Sequence, residues 1–108
     1  MDPHDAARLY TILKPRIEEA YRELGLTEPF DRTLERALVM LLRTPPIDPG
    51  VRLTPKGALY LYEDPALERL TPAQKQFARM GPRNVRTIQA QLREIALALG
   101  IPPGRLPN

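Results

Sequence analysis

FARMGPRNVRTIQAQL, residues 77–92, holds the junction on which the fold turns. A short amphipathic run ends at Met80-Gly81-Pro82, and a second, longer helical pattern starts at once. Glycine permits the left-handed backbone that ends one helix, and proline presets the φ of the first residue of the next. Read this way, Gly81 and Pro82 form a structural corner between two helices. Asn84 then lies in the first turn, where its amide is expected to bond a nearby backbone group.

The same spelling recurs outward from that corner. Asp64-Pro65 and Thr71-Pro72 each place a capping side chain directly before a proline, which predicts helices near 65–70 and 72–80. Downstream of Gly81, apolar residues at helical spacing run to Leu99 and stop at Gly100, predicting the last and longest helix. Near the start, Leu9, Leu13, Ile17, Ala20, Tyr21 and Leu24 recur at helical spacing and Gly25 ends the pattern. Pro15 sits inside it and predicts a kink or a restart after Lys14. Asp31 is the expected N-cap of a second helix reaching about Arg43, apolar nearly all round from Ala37 to Leu42 and therefore central to the core. The loop TPPIDPG, residues 44–50, is expected to run over the surface. Residues 58–62 alternate in a way that suits a short extended segment as well as a helical turn, with no convincing strand to pair with. These elements predict an all-α fold, a small orthogonal bundle of five or six helices in a single domain spanning 1–108.

At 108 residues, the chain is long enough for one core. It has no cysteine, so disulfides, thiolate metal sites and cysteine nucleophiles are excluded. Its longest apolar run, Ala37 to Leu42, is far short of the roughly 20 residues a membrane span needs. The opening MDPHDAARLY carries acids and a proline where a signal peptide needs a basic and then an apolar stretch. A cytoplasmic protein without membrane contact is expected. The net charge of +3 is unevenly spread. Residues 1–70 carry ten Lys/Arg against twelve Asp/Glu, whereas residues 71–108 carry six against Glu94 alone. A basic C-terminal third suits an anionic partner or a solvated face.

Catalytic chemistry is thin. His4, the single histidine, lies in a terminus expected to fray, and without cysteine the usual transition-metal sets cannot assemble. Neither a glycine-rich phosphate loop nor a serine elbow occurs. No catalytic residue, metal or cofactor is therefore expected. In the last helix, Val85, Ile88, Leu92, Ile95, Ala96 and Leu99 fall on one side at 100° per residue, and Arg83, Arg86 and Arg93 on the other. The positive end of that helix and its arginine stripe make Lys75, Arg79, Arg83, Asn84, Arg86 and Arg93 the candidate anion- or partner-binding residues.

Phe77, Met80, Gly81, Val85 and Ile88 resemble the spacing of a helix-hairpin-helix motif, with Arg79 standing where its first turn glycine belongs. A fuller resemblance lies in LKPRIEEAYRELG, FDRTLERALVMLL, YEDPALERLTPAQKQFARMGPRN and LREIALALGI. These are similar to a bacterial family of domains of unknown function, number 3014, whose QKxxxRMGPxN hallmark matches Gln74 through Asn84. The resemblance implies no activity. It implies an N-terminal membrane anchor in many members, from which this chain departs. The expected function is a non-catalytic helical module that binds a macromolecular partner, a protein or a second copy. The alternative is sequence-independent nucleic-acid binding through the basic C-terminal third.

Overall fold

The computed structural model describes residues 2–48, 50–56 and 59–107. In chain order these form α1 (Pro3–Glu23), α2 (Phe30–Leu42), β1 (Leu53–Lys56), β2 (Leu59–Tyr62), α3 (Pro65–Glu68), α4 (Pro72–Ala78), α5 (Pro82–Ala98) and a 3-10 turn at Pro103–Arg105. The fold is all-α in class, with one small β-hairpin. Among the described residues, no helix is long and apolar enough to cross a membrane. The chain divides into two compact units, Met1–Arg43 with Gln89–Asn108, and Thr44–Ile88.

The first unit is built on α1, α2 and the C-terminal part of α5. Asp2 caps α1, its carboxylate accepting the His4 N–H at 2.8 Å, with Pro3 at the first helical position. The expected frayed start is therefore wrong: Asp2-Pro3 is the same cap-then-proline spelling as at residues 64 and 71. α1 also runs unbroken through Pro15, so the expected restart after Lys14 does not occur. It, not α5, is the longest helix. Gly25, at φ +84°, ends α1 in a Schellman arrangement, with Gly25 N–H to the Arg22 carbonyl and Leu26 N–H to the Tyr21 carbonyl.

Asp31 does not cap α2. The helix begins one residue earlier, at Phe30, behind Pro29, which offers no side-chain cap. A carboxylate from α1 supplies the cap instead. Glu18 accepts the Phe30 N–H at 2.7 Å, satisfying an otherwise orphaned donor at the positive end of the helix. Phe30 packs edge-on to Tyr21 at 5.3 Å, and the Tyr21 and Thr33 hydroxyls share a 2.6 Å hydrogen bond. The core consists of Leu38, Leu42, Ala96 and Leu106, flanked by Leu34, Val39, Leu92, Leu99 and Ile101. At the far end of α2, the Gln89 amide donates to the Leu41 carbonyl at 3.0 Å, one of the acceptors a helix terminus leaves open.

In the second unit, β1 and β2 pair antiparallel, Leu53 opposite Tyr62 and Lys56 opposite Leu59. The extended reading of this stretch thus holds from Leu59, but its partner, LTPK, went unforeseen. Pro49, Gly57 and Ala58, on which part of the loop and extended-segment expectations rest, lie outside the described residues. Thr71 caps α4 in a full capping box with Gln74, and Asp64 caps α3. Within this unit Ile47, Ala78 and Val85 are buried, and so are Thr44 and Gln74. The expectation that residues 44–50 stay on the surface fails at Thr44 and Ile47: two prolines stiffen the segment, and its apolar side chain still turns inward.

Gly81 has φ +91°, and its carbonyl accepts the Val85 N–H at 3.0 Å. A Cβ added there would meet no atom within 4 Å. Any cost of Gly81→Ala is then purely conformational. Thermal melts should show a loss of about 1–2 kcal/mol, and an unchanged midpoint would mean that the corner relaxes freely.

Candidate functional site

The residues expected to bind an anion or a partner divide between the two compact units, Arg93 in the first and the others in the second. Lys75 is half-buried and committed to Glu68, its Nζ 2.9 Å from the carboxylate. The other oxygen of Glu68 accepts the Tyr62 N–H at 2.8 Å, so this pair ties α4 to α3 and the hairpin. Asn84 turns its amide back to the Met80 carbonyl at 2.9 Å, a local bond that caps the corner. Arg93 belongs to the other compact unit, is half-buried, and donates to the Pro107 carbonyl. The expected outward stripe of three arginines therefore loses Arg93, because the chain after α5 folds back and offers it an acceptor. Arg83 and Arg86 are exposed, as is Arg79, whose guanidinium meets Gln76 at 3.1 Å.

The first unit holds a cleft of about 650 Å³ between α1, α2 and residues 98–105. Its polar groups satisfy one another. Asp31 accepts from the Tyr10 hydroxyl and from Lys14 Nζ, both at 2.6 Å, and Arg105 lies 3.3 Å from Glu35. The hydrogen bonds from Lys14 and then Tyr10 hold the Asp31 carboxyl below its usual range. Burial, followed by the bond to Asp31, pushes the Tyr10 phenol up, and the bond to Asp31 raises Lys14. His4 is exposed at the rim. Among the described residues, no three His, Cys, Asp or Glu side chains converge as metal ligands do. With its charges already paired, the cleft is a clasp between α1 and α2.

These directions set a pH window. A lowered Asp31 contributes stability that is present above its unfolded value of about 3.9 and lost as pH falls through the lower folded one. The raised Tyr10 and Lys14 contribute stability present below about pH 10 and lost above it. Glu28, held down by its hydrogen bond to Arg36, adds to the acid side. Melting temperature should thus be flat between about pH 5 and 9 and decline below about 4. Asp31→Asn should flatten part of that decline. An identical acid limb in the variant would exclude Asp31 as a contributor.

Exposed apolar side chains gather along α1 and just after its end. Ile12 is 73% and Leu24 76% exposed, and Leu9, Leu13 and Leu26 are also open to solvent. Ala20 is exposed as well. Of the apolar residues whose spacing predicted this helix, only Ile17 and Tyr21 are half-buried. On a helical wheel the apolar positions run unbroken from Leu9 through Ala20, Leu13, Leu24, Ile17 and Tyr10 to Tyr21, an arc of about 120°, and Asp5, Arg16 and Glu23 separate Ile12 from it.

The family model described as "Protein of unknown function (DUF3014)" matches residues 1–96. No curated protein matches the chain, and no solved structure does.

Proposed function

We propose that the chain, which belongs to the DUF3014 family, is a non-catalytic helical module that binds a protein partner through the outer face of α1. The observation that carries this reading is the exposure of Ile12, Leu24, Leu9, Leu13 and Ala20 on and just after one helix. Burying a leucine or isoleucine fully contributes about 1.5–3 kcal/mol, so a few such side chains drive association once covered. The partner surface is an apolar ridge, as another amphipathic helix presents. A cytoplasmic location goes with this reading, since a chain without cysteine suits a reducing compartment.

A photo-crosslinking residue placed in living cells at position 12, and separately at position 22, tests it. Arg22 is exposed on α1 and apart from those apolar side chains around the helix. Crosslinked protein from position 12 and none from position 22 is the expected result. Equal labelling from both, or none from either, rejects the α1 face.

Arg79, Arg83 and Arg86 favour a second reading, nucleic-acid binding, because all three are exposed and make no ion pair among the described residues. It requires a mobility shift that fades steeply with salt and disappears in Arg83→Gln/Arg86→Gln. The absence of a shift at low salt removes it.

A further inference from the structure

We infer that Arg105-Leu106-Pro107 is an exchangeable docking segment, and that the groove it fills between α2 and α5 takes the same three residues from a second copy of this chain. The segment is held as a bound peptide is held. Leu106 is 6% exposed and packs with Leu38, Leu42 and Ala96. Arg105 lies 3.3 Å from Glu35 of α2, and the Pro107 carbonyl accepts from Arg93 of α5. The backbone at Leu106 is extended, with φ −96° and ψ 140°, so the leucine enters the groove while its neighbours stay at the rim. Three adjacent residues thus meet one apolar pocket, one carboxylate and one donor, the pattern by which a groove reads an extended peptide.

The connection to α5 decides which copy supplies it. After Gly100, at φ +90°, the chain doubles back along α5, Leu106 reaching Ala96 and Pro107 reaching Arg93. That reversal rests on the 3-10 turn at Pro103–Arg105. Its bonds run from the Arg105 N–H to the Pro102 carbonyl at 3.0 Å and from the Leu106 N–H to the Pro103 carbonyl at 3.1 Å. The two prolines favour a straighter path, because a residue before proline is pushed toward extended backbone. Pro102 is already extended, at φ −60° and ψ 138°. Straightening Pro103-Gly104 breaks the turn and lets residues 102–106 span about 16 Å. Every contact made by Arg105, Leu106 and Pro107 can then form again in the identical groove of a second copy, and exchange in both directions closes a two-fold pair. The tether gives each segment an effective concentration of about 1 mM at its own groove, so the intact chain exchanges near that concentration.

Deleting Pro103 and Gly104 tests this, because a chain without the turn cannot fold back to its own groove but still reaches a neighbour's. At about 50 µM, far below the effective concentration of the tether, light scattering should give the intact chain its monomer mass of 12.3 kDa. The shortened chain should weigh about twice that. Leu106→Asp in the shortened chain should return it to monomer. Glu35→Arg should weaken the shortened dimer about tenfold, and Glu35→Arg with Arg105→Glu should recover most of the loss. A peptide of residues 101–107, IPPGRLP, should split the dimer, and the same peptide carrying Leu106→Ala should not. A shortened chain that stays helical and monomeric overturns the proposal, as does a dimer indifferent to Leu106→Asp and to the peptide. If shortening unfolds the chain, the full-length protein decides. Since the chain has no cysteine, copies carrying Arg22→Cys take donor or acceptor dyes at one exposed site. Mixed at about 1 mM, they should develop energy transfer that Leu106→Ala diminishes. No transfer, or transfer unchanged by Leu106→Ala, overturns the exchange.

Discussion

Leu38→Ala is expected to lower the unfolding free energy by about 2–5 kcal/mol. Leu38 is 6% exposed and packs with Leu42, Ala96 and Leu106, residues drawn from α2, from α5 and from the segment after the 3-10 turn. Walls contributed by three separate stretches of chain cannot all close inward when the leucine is truncated, so much of the cavity stays open. Ala96, with no exposed surface, already brings the helix backbones close and has no side chain to swing into the gap. Against a total stability of about 5–15 kcal/mol the loss is large. Ile12→Ala is the control: it removes as many apolar atoms from a residue that is 73% exposed, and its cost should stay within about 0.5 kcal/mol. Urea titrations of the two variants, read by helical circular dichroism, measure the difference. Similar midpoints would mean that the core does not lie where Leu38 lies.

That comparison marks where sequence reading succeeds and where it stops. Features decided within a few residues were legible. The cap-then-proline pairs at residues 64–65 and 71–72 and the positive-φ glycines at 25, 81 and 100 needed only local stereochemistry. The bond from the Asn84 amide to the Met80 carbonyl is of the same local kind. Features decided by a distant partner were not legible. Asp31 reads as a cap, yet it is claimed by Tyr10 and Lys14, 21 and 17 residues away. The cap that α2 does receive comes from Glu18, twelve residues earlier. β1 was hidden because Pro55 argues against a strand. In a two-stranded hairpin each strand has a free edge, and a proline facing that edge breaks no ladder bond. Among the candidate basic residues, Lys75 and Arg93 have acceptors, Glu68 and Pro107, that helical periodicity cannot reveal. On α1, periodicity identified an apolar face correctly, but it cannot say whether the protein's own chain covers it.

Pro15→Ala carries the largest expected gain. Pro15 is exposed and interior to α1, twelve residues from its start and eight from its end. Its nitrogen cannot donate to the Thr11 carbonyl, and its ring crowds the turn that carries it. Alanine restores the bond and relieves the crowding, a difference of about 3 kcal/mol in a helix interior. Part of this is offset by the greater freedom alanine allows the unfolded chain, about 0.4–1 kcal/mol. A net stabilisation of about 2 kcal/mol follows, or about 8–16 °C in Tm for a domain of this size. The helix endures the proline because both of its halves are anchored to α2: Tyr10 and Lys14 hold Asp31 before it, and Glu18 and Tyr21 bond Phe30 and Thr33 after it. The same anchors limit the gain if they depend on a bend at Pro15. Melting Pro15→Ala alone and together with Asp31→Asn separates the two contributions. A gain that appears only in the double variant means that the clasp holds α1 bent. A Tm that falls in both means that the bend itself is required for α1 to pack.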